Sequence, residues 1–167
     1  MIFADFWRII SSISDFQTWI AIFLVILLGY FMSPKSKKHK LAWLVFVLLP
    51  AIVISAAFVE LLKISTQIPR PCVGIADCPS GYSFPSGHAA RIFTLAAVIA
   101  LSIKDLRIKF TFLILAILVS ISRVAVNYHT YADIIAGALI GIMIAYFVNL
   151  FYKRVSSLKT FKTIISS

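Results

Sequence analysis

Apolar positions along this chain come in long unbroken runs, not in strict alternation. The first run covers about Phe16–Met32 and is closed by Ser33-Pro34 and a basic stretch. Four more follow at about Leu41–Leu62, Ser86–Ile103, Phe110–Val126 and Ala132–Tyr152. Roughly 20 apolar residues in a helix cross the hydrocarbon core of a bilayer. The pattern therefore predicts an all-α, polytopic transmembrane bundle with five clear spanning helices. Pro50 lies inside the second run and predicts a kink there. Residues 2–15 differ: Phe3, Phe6, Trp7, Ile9, Ile10 and Ile13 alternate with Asp5, Arg8, Ser11, Ser12 and Asp15. That spacing suits an amphipathic helix lying in the membrane interface. A signal peptide would need a basic start and a clean apolar core, which this segment lacks. Gly137 and Gly141, four apart in the last run, predict close helix packing.

Composition agrees with this picture. The 167 residues suffice for a single domain, and 61% of them are hydrophobic, with a mean hydropathy of +1.00. The net charge of +10 would suggest nucleic acid in a soluble protein. Here no soluble basic segment with interleaved aromatics exists to bind it, and cytoplasmic loops of membrane proteins collect Lys and Arg. The loop 33–40 carries four of them, the link 104–109 three and the tail from Lys153 four, together 11 of the 16. Five alternating spans put all three segments on one side, which is therefore expected to be cytoplasmic, with the C-terminal tail. The remaining cations are Arg8, Lys63, Arg70, Arg91 and Arg123. They fall on or near the opposite side, where basic residues require a function or a partner.

Those cations bring companions. Lys63 and Arg70-Pro71 open the polar loop 63–85, Pro85-Ser86-Gly87-His88 begins the third span, and Ser122-Arg123 is followed by His129 and Asp133. The predicted topology brings all three segments to one membrane face. Lys63, Arg70 and Arg123 together suit a dianionic phosphoryl group, because Arg makes bidentate contacts to phosphate oxygens and Lys supplies a point charge. Ser86 and Gly87 at a helix start offer backbone N–H groups and a favourable dipole, and Gly87 permits close approach. His129 and Asp133 stand at i and i+4. The carboxylate can accept from one imidazole nitrogen and leave the other to attack, while His88 protonates a leaving oxygen. No Cys or carboxylate cluster joins the two histidines, so neither a metal nor another cofactor is expected.

The three segments resemble the tripartite motif of the type-2 phosphatidic acid phosphatase superfamily, which vanadium haloperoxidases share. It reads K-x6-R-P, then P-S-G-H, then S-R-x5-H-x3-D, and residues 63–133 match each fixed position. The resemblance implies a membrane phosphatase needing no metal. Lys63, Arg70, Ser86, Gly87 and Arg123 would bind phosphate, His88 would be the acid, His129 a nucleophile forming phosphohistidine, and Asp133 its orienting partner. Membrane members commonly have six spans, against five here.

Arg91 follows His88 by three positions and shares its helix face. A cation there suits a second phosphate, and Pro85-Ser-Gly-His-Ala-Ala-Arg91 resembles the polyisoprenoid diphosphate phosphatase branch. The expected substrate is therefore a lipid diphosphate such as undecaprenyl or dolichyl diphosphate, with phosphatidate and phosphatidylglycerol phosphate as alternatives. A lipid-phosphate binder or transporter is the non-enzymatic alternative. No obligate protein partner is expected beyond the bilayer and the lipid. Cys72 and Cys78, six apart in the outward loop, are candidates for a disulfide beside Arg70.

Overall fold

The computed structural model describes residues 44–75 and 78–157, together with positions 18, 21, 24, 25, 28, 29, 32 and 34. Within the first predicted span, every described position from 18 to 32 is helical. The predicted interfacial helix 2–15 and the end of the basic tail lie outside the described residues.

Four helices form the described body: α1 (Leu49–Thr66), α2 (Gly87–Ser102), α3 (Leu106–Ala125) and α4 (Tyr131–Ser156). The described residues contain no strand. A π-helical turn, Leu44–Leu48, runs directly into α1, with Pro50 in the first turn. Proline lacks an N–H and crowds the carbonyl four residues back. The expected kink is thus a change of helical register, with the wider turn placed just before the proline.

Helix ends extend past the hydropathy boundaries where polar side chains serve the backbone. α1 continues beyond Leu62 through Lys63 to Thr66, because the hydroxyls of Ser65 and Thr66 donate to Leu61 O and Leu62 O, both at 2.9 Å. Gln67 then closes the helix in the left-handed region. α3 starts at Leu106, four residues before the apolar run, because Asp105 caps it by accepting from Arg107 N at 2.8 Å. α4 runs on to Ser156 and takes in Lys153 and Arg154, expected in the tail.

Among the described residues, three stretches are long and apolar enough to cross a membrane: Val45–Thr66, Leu106–Ala125 and Tyr131–Ser156. α2 has 16 residues and measures only about 24 Å at 1.5 Å per residue, against a hydrocarbon core of about 30 Å. It is the central helix, packing most extensively against α4, then against α3 and α1. Ile92 and Ala96 meet Ala116 and Val119 of α3. On the other side, Val98 joins Val47, Leu48, Ala51 and Ala145, and Ala90 joins Val59 and Ile140. Outside this core, large apolar side chains face outward, among them Phe58, Leu61, Phe110, Ile114, Phe147 and Phe151. With apolar residues both inside and outside, the solvent of this bundle is lipid, and the chain is an integral membrane protein.

The glycine pair explains the closeness of α2 and α4. A Cβ on Gly137 would overlap Ser86 O, and one on Gly141 would overlap Ala90 O. Thr94 adds an interhelical bond from its hydroxyl to Gly141 O at 3.3 Å. Close packing is therefore the role of this pair, as the spacing predicts. The seam also fixes the start of α2 against the first turn of α4, where Ser86 N donates to Asp133 O at 3.0 Å.

Candidate active site

Each functional segment ends a helix or begins one, and all of them meet at one end of the bundle. The turn after α3 positions His129. Backbone N–H groups of Tyr128 and His129 both donate to Arg123 O, at 3.0 and 3.2 Å, and Asn127 takes a left-handed φ of 58° to make the reversal. His129 sits just before the N-cap of α4, Thr130, and is 2% exposed. It is therefore not on the helix, although the i, i+4 spacing assumed one.

Asp133 has two tasks. Thr130 and Asp133 form a capping box: Thr130 Oγ1 accepts from Asp133 N at 3.3 Å, and Asp133 Oδ2 accepts from Thr130 N at 2.7 Å. The same Oδ2 lies 3.5 Å from His129 Nδ1. The helix cap thus locks the carboxylate that faces the imidazole. The string Thr130-Tyr-Ala-Asp133 carries a capping signature that the sequence reading passed over.

Arg70 approaches from the loop between α1 and α2. Its Nη1 donates to Tyr128 O at 3.2 Å and lies 3.1 Å from His129 Nε2. Guanidinium only donates, so Nε2 must be the accepting nitrogen and the neutral ring carries its proton on Nδ1, towards Asp133. Burial pushes the His129 pKa down from 6.5 to about 3, helped by Arg70 and Arg123 and opposed by Asp133. His129 is therefore neutral at physiological pH, with its Nε2 lone pair held by a cation. The Arg70 pKa is itself lowered by burial, against the pull of Asp133 and Glu60. Its Nε is buried without a hydrogen-bond partner among the described residues. That donor is available to an anion.

The other cations surround this pair. Arg123, in the last turn of α3, is buried and stacks over the Tyr128 ring at 4.8 Å. His88 is half-buried in the first turn of α2 and lies near enough to His129 to lower its pKa. Ser86 caps α2 by accepting from Ala89 N at 3.5 Å. Lys63 is in the last turn of α1, not in the loop, and pairs with Glu60 at 2.8 Å. A Cβ on Gly87 would stand 3.2 Å from Arg91 Nη1 and 3.8 Å from Lys63 Nζ. Gly87 therefore opens space at a helix N-terminus between two cations, a favourable cradle for an anion. Arg91 is 8% exposed, so its charge points into the protein. Cys72 and Cys78 are joined by a disulfide with Cα atoms 5.5 Å apart, closing a small ring two residues after Arg70.

Sequence reasoning missed Ser83. It is buried and sits between Pro79 and Pro85, outside the three motif segments. Its hydroxyl lies 2.5 Å from Asp133 Oδ2 and 3.3 Å from His129 Nδ1.

Fold and site define an all-helical membrane protein with a buried histidine–carboxylate pair ringed by cations, at a place where a helix N-terminus is left open by glycine. A family model described as the PAP2 superfamily matches residues 43–157, and the chain belongs to that superfamily. It is a membrane phosphatase. Among solved structures, the chain is similar to a transmembrane PAP2-type phosphatidylglycerolphosphate phosphatase from Bacillus subtilis. Identity is 22% and the TM-score 0.75, over 92% of this chain and 78% of the other. It is also similar to Aquifex aeolicus LpxE, at 26% identity and a TM-score of 0.71, over 89% of this chain and 86% of the other. No curated protein matches the chain.

Proposed function

We propose that this phosphatase removes the terminal phosphate of a (poly)isoprenyl diphosphate, giving the lipid monophosphate and inorganic phosphate through a phosphohistidine on His129. The observation that carries the reading is the resting geometry of His129: a neutral ring, Nδ1 backed by Asp133 and Nε2 directed at the phosphate-binding cations. The Nε2 lone pair attacks the terminal phosphorus, the bond from phosphorus to the bridging oxygen breaks, and His88 gives that oxygen its proton. Water then attacks the phosphohistidine, His88 takes a proton back, and inorganic phosphate leaves with Nε2 restored. Lys63, Arg70, Arg123 and the amides at Ser86 and Gly87 hold the equatorial oxygens, and such fixed charge carries most of the rate in phosphoryl transfer. None of these steps needs a metal.

In this reading residues 1–167 form a single domain with five spans and its site at the non-cytoplasmic face. Arg107, Lys109, Lys153 and Arg154 lie at the helix ends opposite the site, where cytoplasmic cations belong. The cystine beside Arg70 suits an oxidising compartment.

Arg91 favours a diphosphate, because it adds a buried cation next to the cradle at Gly87. A second reading, a glycerolipid monophosphate such as phosphatidate or phosphatidylglycerol phosphate, fits the same residues. Arg91 and Lys63 flank one glycine, and one dianion can occupy that space. The solved structure from Bacillus subtilis is of a phosphatidylglycerolphosphate phosphatase. Purified protein in detergent, without added metal, should release phosphate from isoprenyl diphosphates faster than from either monophosphate, and Arg91→Ala should reduce diphosphate turnover selectively. Faster turnover of the monophosphates refutes the diphosphate reading. His129→Ala should abolish release from every substrate while lipid binding persists. Undiminished function in that variant would point instead to a binder or transporter.

A further inference from the structure

We propose that Ser83 is a positioning residue for this reaction, its hydroxyl bridging the imidazole of His129 and the carboxylate of Asp133. The inference rests on His129 being the nucleophile.

The geometry leaves few ways to arrange the protons. Arg70 occupies Nε2 as a donor, so the ring proton is on Nδ1 and must be donated. Two acceptors are within reach: Ser83 Oγ at 3.3 Å and Asp133 Oδ2 at 3.5 Å. Ser83 Oγ is also 2.5 Å from Asp133 Oδ2, and a carboxylate oxygen can only accept there. The hydroxyl proton therefore goes to Asp133, and the hydroxyl lone pairs face Nδ1–H. The resulting chain runs from Nδ1–H to Oγ and from O–H to Oδ2. It is shorter at each link than the direct contact between ring and carboxylate. Ser83 thus holds the ring in the tautomer that leaves Nε2 available for phosphorus.

The loop is built to hold that hydroxyl in place. Ser83 N donates to Ile68 O at 2.8 Å, which ties it to the strand of loop carrying Arg70. Just before it, Gly81 turns the chain with a φ of 84°. Just after it, Phe84 O accepts from Thr66 Oγ1 at 3.2 Å, anchoring the loop to the end of α1. Ser83 is 1% exposed, so water does not compete for its bonds. Residues from the first and third motif segments are thereby joined through a residue belonging to neither.

The test is Ser83→Ala, alone and combined with Asp133→Ala, in the full chain. Losing the partner that orients a metal-ligating imidazole typically costs about 10–100-fold, and by analogy a loss of about that size is expected in kcat. KM, thermal unfolding and inhibition by inorganic phosphate should stay close to wild type, because the phosphate-binding cations are untouched. In the Asp133→Ala background the serine substitution should add almost nothing, since it acts through that carboxylate. Wild-type kcat in Ser83→Ala overturns the proposal. So does a loss of phosphate inhibition and thermal stability in parallel with kcat, or an undiminished serine effect without Asp133. Activity in His129→Ala would instead overturn the nucleophile assignment, and the two failures are separable.

Discussion

Around His129, the contacts that join one segment to another are hydrogen bonds. Between α2 and α4, by contrast, the helices are fixed by missing side chains. Arg70, Ser83, Thr130 and Asp133 form a polar web in which each member makes at least two hydrogen bonds. Gly137 and Gly141 contribute proximity, plus one backbone carbonyl that accepts from Thr94 Oγ1. The difference follows from the surroundings. In lipid there is no hydrophobic drive to bring helices together, so close van der Waals packing must do it. At the polar end, buried donors and acceptors must be paired, and pairing sets geometry more sharply than contact does. The two regions meet where Ser86 N donates to Asp133 O, so the glycine seam sets the height at which the polar web is assembled.

Substitutions that remove function without touching the fold should come from the polar end, and after His129→Ala the largest effect is that of Asp133→Asn. It keeps an acceptor for Thr130 N but loses the charge facing His129. The fall in kcat should be about 10³-fold or more, on the scale of neutralising the orienting carboxylate of a histidine pair. Thermal unfolding in detergent should shift little. A comparable loss of stability would mean that Asp133 serves mainly as a cap.

Gly141→Ala should do the reverse. Its methyl group meets backbone, which cannot swing aside, and overpacking of this kind costs about 1–3 kcal/mol. Thermal unfolding should report that loss, with activity falling as the site end is displaced. An unchanged unfolding temperature would show that α4 can slide on α2, and the two regions would then be independent.

The smallest effect is on pH dependence. Burial and the nearby cations push the His129 pKa down to about 3, and on the proposed chemistry it is the neutral form that attacks. The acid limb of kcat/KM assigned to this group should therefore lie well below 6.5. Bound phosphate offsets Arg70 and Arg123, so the corresponding limb of kcat should lie at higher pH than that of kcat/KM. The sign for stability agrees: a lowered folded pKa gives stability that is complete above 6.5 and is lost as pH falls towards 3. A kcat/KM limb at 6.5 would mean that the cations do not act on His129 in the free enzyme.

Much of this was legible in the residues because the chemistry is carried by spacing. Lys63, Arg70, His88, Arg123, His129 and Asp133 can be read from the string, and the structure gathers them at one end of the bundle. Helix ends were less legible, since hydropathy stops where polarity starts. Ser65, Thr66 and Asp105 bond to the backbone and let α1 and α3 extend through polar residues. Ser83 was illegible for a different reason. A serine in a loop of serine, glycine and proline carries no signal, and its meaning arises only when the loop folds against Asp133, 50 positions away.

The contact between Arg70 and His129 governs timing as well as position. Between turnovers Nε2 of His129, the attacking nitrogen of the proposed chemistry, is already engaged by Arg70. An incoming phosphoryl oxygen competes for the same guanidinium, and as it draws Arg70 towards itself it uncovers Nε2. On the proposed chemistry the substrate is thus its own trigger: the nucleophile becomes free only when there is something for it to attack.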